Sequence, residues 1–231
     1  VARSFALVQA KVAEADFFLT RLREAGVDFF AARCYFSAFI ASARSITFAL
    51  QATMADMPGF GAWYLRQQAD LVADPNCRFF QHARRLDQHV GINALSGGGF
   101  NRDDNGQPLP TYRLAESNPA EGLPEPPNAD ALSSCHTYFD RLIKVVFDCC
   151  DEFKRAIDPK VWFTKENFAE MGQTIEDAEE ELYGYRGWTS APGVPEDARW
   201  QLIRNSVWSW ELEALFTRRI NAHAQEREPA G

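Results

Sequence analysis

The chain reads as all-α, an antiparallel helical bundle of about six or seven helices interrupted by one long irregular excursion with a β-hairpin. Three observations carry that reading. Apolar residues recur at three- and four-residue steps through most of the 231 residues. Capping residues and glycines stand where those periodic segments should begin and end. The period is lost from Ile92 to Asn128, where glycine and proline concentrate.

The first helix runs from Ser4 to Ala25, where Val8, Val12, Ala15, Phe18, Leu19 and Leu22 make one apolar face and Gly26 supplies the stop. Asp28 caps the next, FFAARCYFSAFIASARSITFALQATM. Phe36, Phe39, Ile40, Ala43, Ile46 and Leu50 line one of its faces, and the small residues Ser37, Ala41 and Ser42 another. A helix that is apolar on one side and small on another lets neighbours approach closely, so this is the expected central helix. Met57-Pro58-Gly59 breaks the pattern and GAWYLRQQADLVA resumes it. Asp74-Pro75 then offers an N-cap followed by proline at the first helical position. The helix it opens carries Phe79 and Phe80 and closes at Gly91.

The excursion, residues 92–128, holds Gly97, Gly98, Gly99, Gly106 and Gly122 and a run of prolines from Pro108 to Pro127. Asn105-Gly106 is the signature of a type I′ turn, which predicts one short hairpin there. Helix resumes at Asp130 with Leu132, Phe139, Leu142, Ile143, Val146, Phe147, Cys150 and Phe153 on one stripe, and stops at Asp158-Pro159. Thr164 is the expected cap of a single helix, ENFAEMGQTIEDAEEELYGY, whose acidic run Glu176 to Glu181 reads as a solvated face. Pro195 opens the last helix, EDARWQLIRNSVWSWELEALFTRRINAHA, with Trp200, Ile203, Val207, Trp210, Ala214 and Leu215 inward. Residues 1–231 are expected to form a single helical domain, with 224–231 as a flexible tail.

Composition narrows the function classes. Hydrophobic residues are 46% and charged residues 24% of the chain, as in a folded globular protein. The net charge of −8 argues against a surface that coats nucleic acid, because such affinity comes from many cations neutralising phosphates. Any contact with nucleic acid must be local. No apolar run nears the ~20 residues that span a bilayer, and VARSFALVQAKVAEAD turns acidic too early for a signal peptide. A soluble, cytoplasmic protein without membrane contact is expected. The five cysteines, Cys34, Cys77, Cys135, Cys149 and Cys150, lack C-x-x-C spacing and read as buried free thiols.

Chemistry concentrates in RFFQHARRLDQHVG, residues 78 to 91. Arg84 and His89 have the spacing R-x4-H. An arginine can hold a phosphate and the charge that develops on it, and a histidine can take the proton of a ribose 2′-hydroxyl. Five helical steps put the two side chains ~140° apart, so they converge only if the helix frays near His89 or if two subunits pool their residues. Arg85, His82 and Arg78 are candidates for holding the substrate's phosphates. The same R-x4-H spacing recurs at Arg218 and His223, but beside the polar stretch AQEREPAG, where an exposed position without a catalytic role is expected.

The pair of stretches YFSAFIASARSITFALQ (35–51) and CRFFQHARRLDQH (77–89) resembles HEPN domains, in particular stand-alone bacterial HEPN-like proteins. The resemblance covers roughly residues 4 to 91 and more loosely the helix from 130. It implies a helical bundle, often a homodimer in which two motifs face one cleft. It places Arg84 as the motif arginine and His89 as the motif histidine of a metal-independent ribonuclease or of an RNA- or nucleotide-binding module, frequently in toxin–antitoxin or defence systems. Arg85 stands where the family usually has Asn, Asp or His.

Two other readings stand beside this one. Arg84, Arg85 and His89 can simply complement the negative end of their helix. Alternatively the chain is a non-catalytic interaction module that meets a protein partner through residues 92–128 and through Trp208 or Trp210, which cannot both face inward on one helix. No metal or cofactor is expected. His136 beside Cys135 lacks a second spaced pair, and Glu176, Asp177, Glu180 and Glu181 lack the E-x-x-H partner of a di-iron site.

Overall fold

The structure is a computed structural model that describes residues 4–102, 106 and 108–207. Among the described residues there are ten helices and one two-stranded sheet: α1 (Ala6–Glu24), α2 (Phe29–Met54), α3 (Phe60–Ala73), α4 (Pro75–Val90), β1 (Leu95–Arg102), β2 (Pro108–Leu114), α5 (Ala131–Glu152), α6 (Lys154–Ile157), α7 (Pro159–Trp162), α8 (Lys165–Glu170), α9 (Ile175–Tyr183) and α10 (Glu196–Ser206). Residues 6–145 make one compact unit, and a second is built from the chain after Val145.

In the first unit α1 and α2 pack along each other, joined by the turn that Gly26 opens and Asp28 closes. Asp28 accepts a hydrogen bond from the Ala31 N–H at 2.9 Å, as an N-cap should. Val8, Val12, Ala15, Leu19 and Leu22 of α1 are buried, as are Phe36, Phe39, Ile40, Ala43, Ile46 and Leu50 of α2. Ser42 lies inside the core because its hydroxyl donates to the Ala38 and Phe39 carbonyls of its own helix. Phe39 meets Phe80, Tyr138 and Phe139 edge-on, with ring centroids 6.2 to 6.4 Å away, and Phe80 stacks on Tyr138 at 4.6 Å. These contacts bind α2, α4 and α5 into one aromatic centre.

The excursion contains the expected hairpin. β1 and β2 pair antiparallel, with Phe100 opposite Pro110 and an irregularity between Leu95 and Gly97. Asn105, the first half of the turn signature, lies outside the described residues. Gly98 packs tightly: a Cβ there would stand 3.3 Å from the Phe29 ring and 3.4 Å from Tyr112. The Tyr112 hydroxyl donates to the Gly26 carbonyl at 2.8 Å, which ties the hairpin to the α1–α2 turn.

The second unit departs from the sequence reading in several places. The helix from Asp130 ends at Glu152, and Phe153 (φ −110°, ψ 24°) separates it from the short α6 and α7. Phe147, expected on the buried stripe, is exposed. The single helix expected after Thr164 is two, α8 and α9, because the chain turns at Met171–Gln173 and starts again with its own cap. Asp177 accepts from the Thr174 N–H at 2.7 Å and from its hydroxyl at 3.0 Å, a box the unbroken periodicity conceals. Within the described residues α10 ends at Ser206, with Val207 extended (φ −74°, ψ 139°). Trp208, Trp210, Ala214, Leu215, Arg218 and His223 lie outside the described residues. Phe163, Phe168, Ile175, Ala178, Trp200, Ile203 and Val207 form this unit's core. Glu179, in the middle of the supposedly solvated acidic run, is fully buried.

Cys77, Cys135 and Cys149 are buried free thiols and Cys150 is half-buried, but Cys34 is exposed, contrary to expectation. Among the described residues no helix is long and apolar enough to cross a membrane.

Candidate functional site

The basic cluster sits on α4, a helix defined at both ends. Asp74 accepts from the Cys77 N–H at 2.9 Å, Pro75 occupies the first turn, and Gly91 ends the helix with its N–H on the Leu86 carbonyl. The Ile92 N–H also returns to Leu86, at 3.2 Å. The helix is therefore regular through Val90, and His89 is held in its last turn. Asn76, Cys77, Phe79, Phe80, Ala83 and Leu86 are buried and mark the inward face.

At 100° per residue this phase assigns each candidate its direction. Arg78, His82, Arg85 and His89 follow one another at steps of four, three and four and fall within about 60° of arc. Arg78, Arg85 and His89 are exposed and His82 is half-buried. Arg84 lies about 140° from His89, at the margin of the inward face, half-buried, with an Nε that has no hydrogen-bond partner among the described residues. One chain thus sets four of the five candidates in a row and turns the motif arginine away from the motif histidine.

One member of the row, Arg85, is partly engaged. Arg85 Nη2 donates to the Glu121 carbonyl at 2.9 Å. The acceptor is presented by a turn at Gly122, whose φ is +76° and where a Cβ would come within 2.9 Å of that same nitrogen. The His82 Nδ1 is enclosed without a partner among the described residues. Asp87, the one acid between Arg78 and Gly91, projects on the other side of the helix. It accepts from the Ser37 hydroxyl and, at 3.1 Å, from Asn93 Nδ2, which also donates to the Arg33 carbonyl. Asn93 Oδ1 in turn receives the Leu95 N–H at 2.9 Å. Asp87 therefore pins the start of β1 to α2 and leaves the row of arginines and histidines without a carboxylate from their own helix.

Sequence reasoning misses Glu121, Gly122, Ser37 and Asn93. Apart from the bonds of Asn93 to Asp87 and Leu95, their roles join chain segments 36 to 60 residues apart, and the only local signal is the turn-forming Asn-Pro-Ala-Glu-Gly at 118–122.

Three of the four acidic residues considered for a metal are held in ion pairs: Arg186 holds Asp177 and Glu180, both at 2.7 Å, and Arg199 holds Glu176 at 3.0 Å. Cys135 beside His136 is a thiol that burial pushes well above its ordinary pKa. No cluster of three or more His, Cys, Asp or Glu that could hold a metal occurs among the described residues. No protein-family model matches the chain, and neither a curated protein nor a solved structure matches it.

Proposed function

We propose that the chain is a HEPN-like RNA-binding protein that grips the phosphodiester backbone through the exposed face of α4, and that it cleaves RNA without metal only as a homodimer. The row Arg78, His82, Arg85 and His89 carries this reading. It extends ~16 Å along the helix axis, and its own helix adds no carboxylate to it. On a chain of net charge −8 such a strip is the local electropositive surface that phosphate recognition needs.

Cleavage makes a further demand. His89 as general base and Arg84 as phosphate anchor must reach the same nucleotide, and one regular helix keeps them apart. A two-fold interface that sets α4 against its copy would put Arg84 of one chain opposite His89 of the other.

Labelled single-stranded RNA incubated with the protein in EDTA tests both statements. Binding should weaken with salt, with a log–log slope of about −1.5 to −2 for two or three neutralised phosphates. The triple substitution Arg78→Gln, His82→Gln, His89→Gln should abolish retention. Cleavage should leave 2′,3′-cyclic phosphate ends and fall about 10²–10⁴-fold in His89→Ala. Arg84→Ala and His89→Ala chains, each inactive alone, should recover cleavage when mixed, because the mixed dimer keeps one intact pair. Retention that is equal in wild type and triple variant removes the binding claim. Cleavage that survives His89→Ala, or mixing that restores nothing, removes the catalytic one.

A further inference from the structure

A neighbouring flank of α4, carrying Cys77 and Gln81, borders a cleft in which these two residues are joined by Arg44 of α2, Tyr64 and Gln68 of α3 and Tyr138 of α5. The space not filled by atoms is about 460 Å³, and it includes open solvent at the mouth. Arg44 is half-buried. One of its N–H groups donates to Thr47 Oγ1 at 3.0 Å, and the guanidinium lies 4.6 Å from the centroid of the Phe48 ring. No carboxylate lies within ion-pair distance of it among the described residues. A guanidinium has five N–H donors, so most of this one's capacity is unspent.

The groups around it are donors too. Burial raises the pKa of the Tyr64 phenol, against the pull of Thr47 and Arg44, and raises that of Tyr138 further, against Arg44 and Arg84. Both remain O–H groups at neutral pH. Burial, with Asp74 adding to it, pushes the Cys77 thiol to about 12, so it is no nucleophile. Arg84 adds positive charge near Tyr138, whereas Arg141 is balanced by Asp70 at 3.7 Å and Asp74 stands near Cys77. Gln68 and Gln81 bring amides to the exposed side. A cleft with a guanidinium that has no carboxylate partner and with two phenolic hydroxyls, that of Tyr64 also bonded to Thr47, suits a ligand that is small, anionic and rich in acceptors.

We infer that this cleft binds a phosphoryl group, with Arg44 as its charge partner and the Tyr64 and Tyr138 hydroxyls as additional donors. The site is separate from the α4 row and does not depend on RNA binding there. The group can be free phosphate or the terminal phosphate of a larger molecule, since both present the same oxygens.

Calorimetric titration of the full chain with inorganic phosphate, at constant ionic strength with chloride as the blank, tests the inference. One saturable site per chain is expected. Arg44→Gln should weaken it by about tenfold or more, the scale of losing hydrogen bonds to a charged group. Tyr138→Phe and Tyr64→Phe each remove only a hydroxyl and should weaken it by a smaller factor, and they keep the test valid if Arg44→Gln does not fold. The Arg78→Gln, His82→Gln, His89→Gln protein should bind phosphate as wild type does, which separates this site's fate from that of the RNA face. A 5′-phosphorylated dinucleotide that binds more tightly than phosphate, while its 5′-hydroxyl counterpart does not bind, assigns the terminal group of a larger molecule. No gain over inorganic phosphate assigns the free anion. Absence of saturable binding in wild type, or equal binding by wild type and all three cleft variants, overturns the inference.

Discussion

Glu179→Ala is expected to lower the unfolding free energy by about 3–5 kcal/mol, the cost of breaking one partner out of a buried ion pair. The Glu179 carboxylate is fully buried on α9 and accepts from the Gly187 N–H, the Thr189 N–H at 2.8 Å, the Thr189 hydroxyl and Arg199 Nη2 at 3.0 Å. Without it two N–H groups lose their acceptor, and Arg199, whose side chain is only 13% exposed, keeps Glu176 as its one remaining ion-pair partner among the described residues. Burial by itself would raise the pKa of Glu179. The hydrogen bonds from Thr189, Arg199 and Gly187 outweigh it and hold the carboxyl at about 2, against an ordinary 4.5. A folded-state pKa below the unfolded one means that this stability is complete above pH 4.5 and is lost as pH falls towards 2. The amount at stake is on the order of 3 kcal/mol. Urea unfolding at pH 7 and at pH 3 checks both claims: the gap between wild type and Glu179→Ala should narrow in acid. A gap that stays constant would show that the carboxylate's charge is not what holds the segment.

Phe39→Ala should cost about 3–5 kcal/mol in the unit formed by residues 6–145. Phe39 is completely buried on the central helix and touches Phe80, Tyr138 and Phe139, one ring from α4 and two from α5. Its loss leaves a cavity lined by three aromatic rings, two of them, Phe80 and Tyr138, stacked on each other and unable to close it by small shifts. Phe39→Leu retains much of the volume and should cost markedly less. Chemical denaturation of the two variants decides it, and a loss under about 1 kcal/mol for alanine would mean that the cluster collapses freely around the gap.

The parts of the fold that were legible in the sequence are those decided by neighbouring residues. Asp28, Asp74-Pro75 and Gly91 mark helix ends because their effect acts within one turn, and the structure has caps at all three. The break at Met171–Thr174 escapes the same reasoning, since apolar spacing continues across it and a threonine followed three residues later by an aspartate is easily read as helix interior. The burial of Glu179 cannot be seen locally at all. Its partners stand 8, 10 and 20 residues further on, two of them backbone N–H groups that leave no mark on composition. The candidate site divides along the same line. The R-x4-H spacing draws attention to Arg84, whereas helix phase places Arg78, His82, Arg85 and His89 on one face, a four-three-four arithmetic available from the sequence alone. Arg44 gives no signal, because an arginine among alanines and serines is unremarkable until three other helices surround it.

The cysteines give the protein a built-in handle for spectroscopy. Burial pushes Cys77 and Cys149 up to about 12 and lifts Cys135 and Cys150 as well, so these thiols are protonated and poorly reached near neutrality. Cys34 alone of the five is exposed, on α2. A maleimide dye or a nitroxide reagent should therefore attach to the unaltered chain at one place, and Cys34→Ser should abolish labelling. With one spin per chain, dipolar coupling can arise only between copies. A sharp intermolecular distance at Cys34 would report how two molecules meet, with no engineered cysteine and no disturbance of Arg84 or His89.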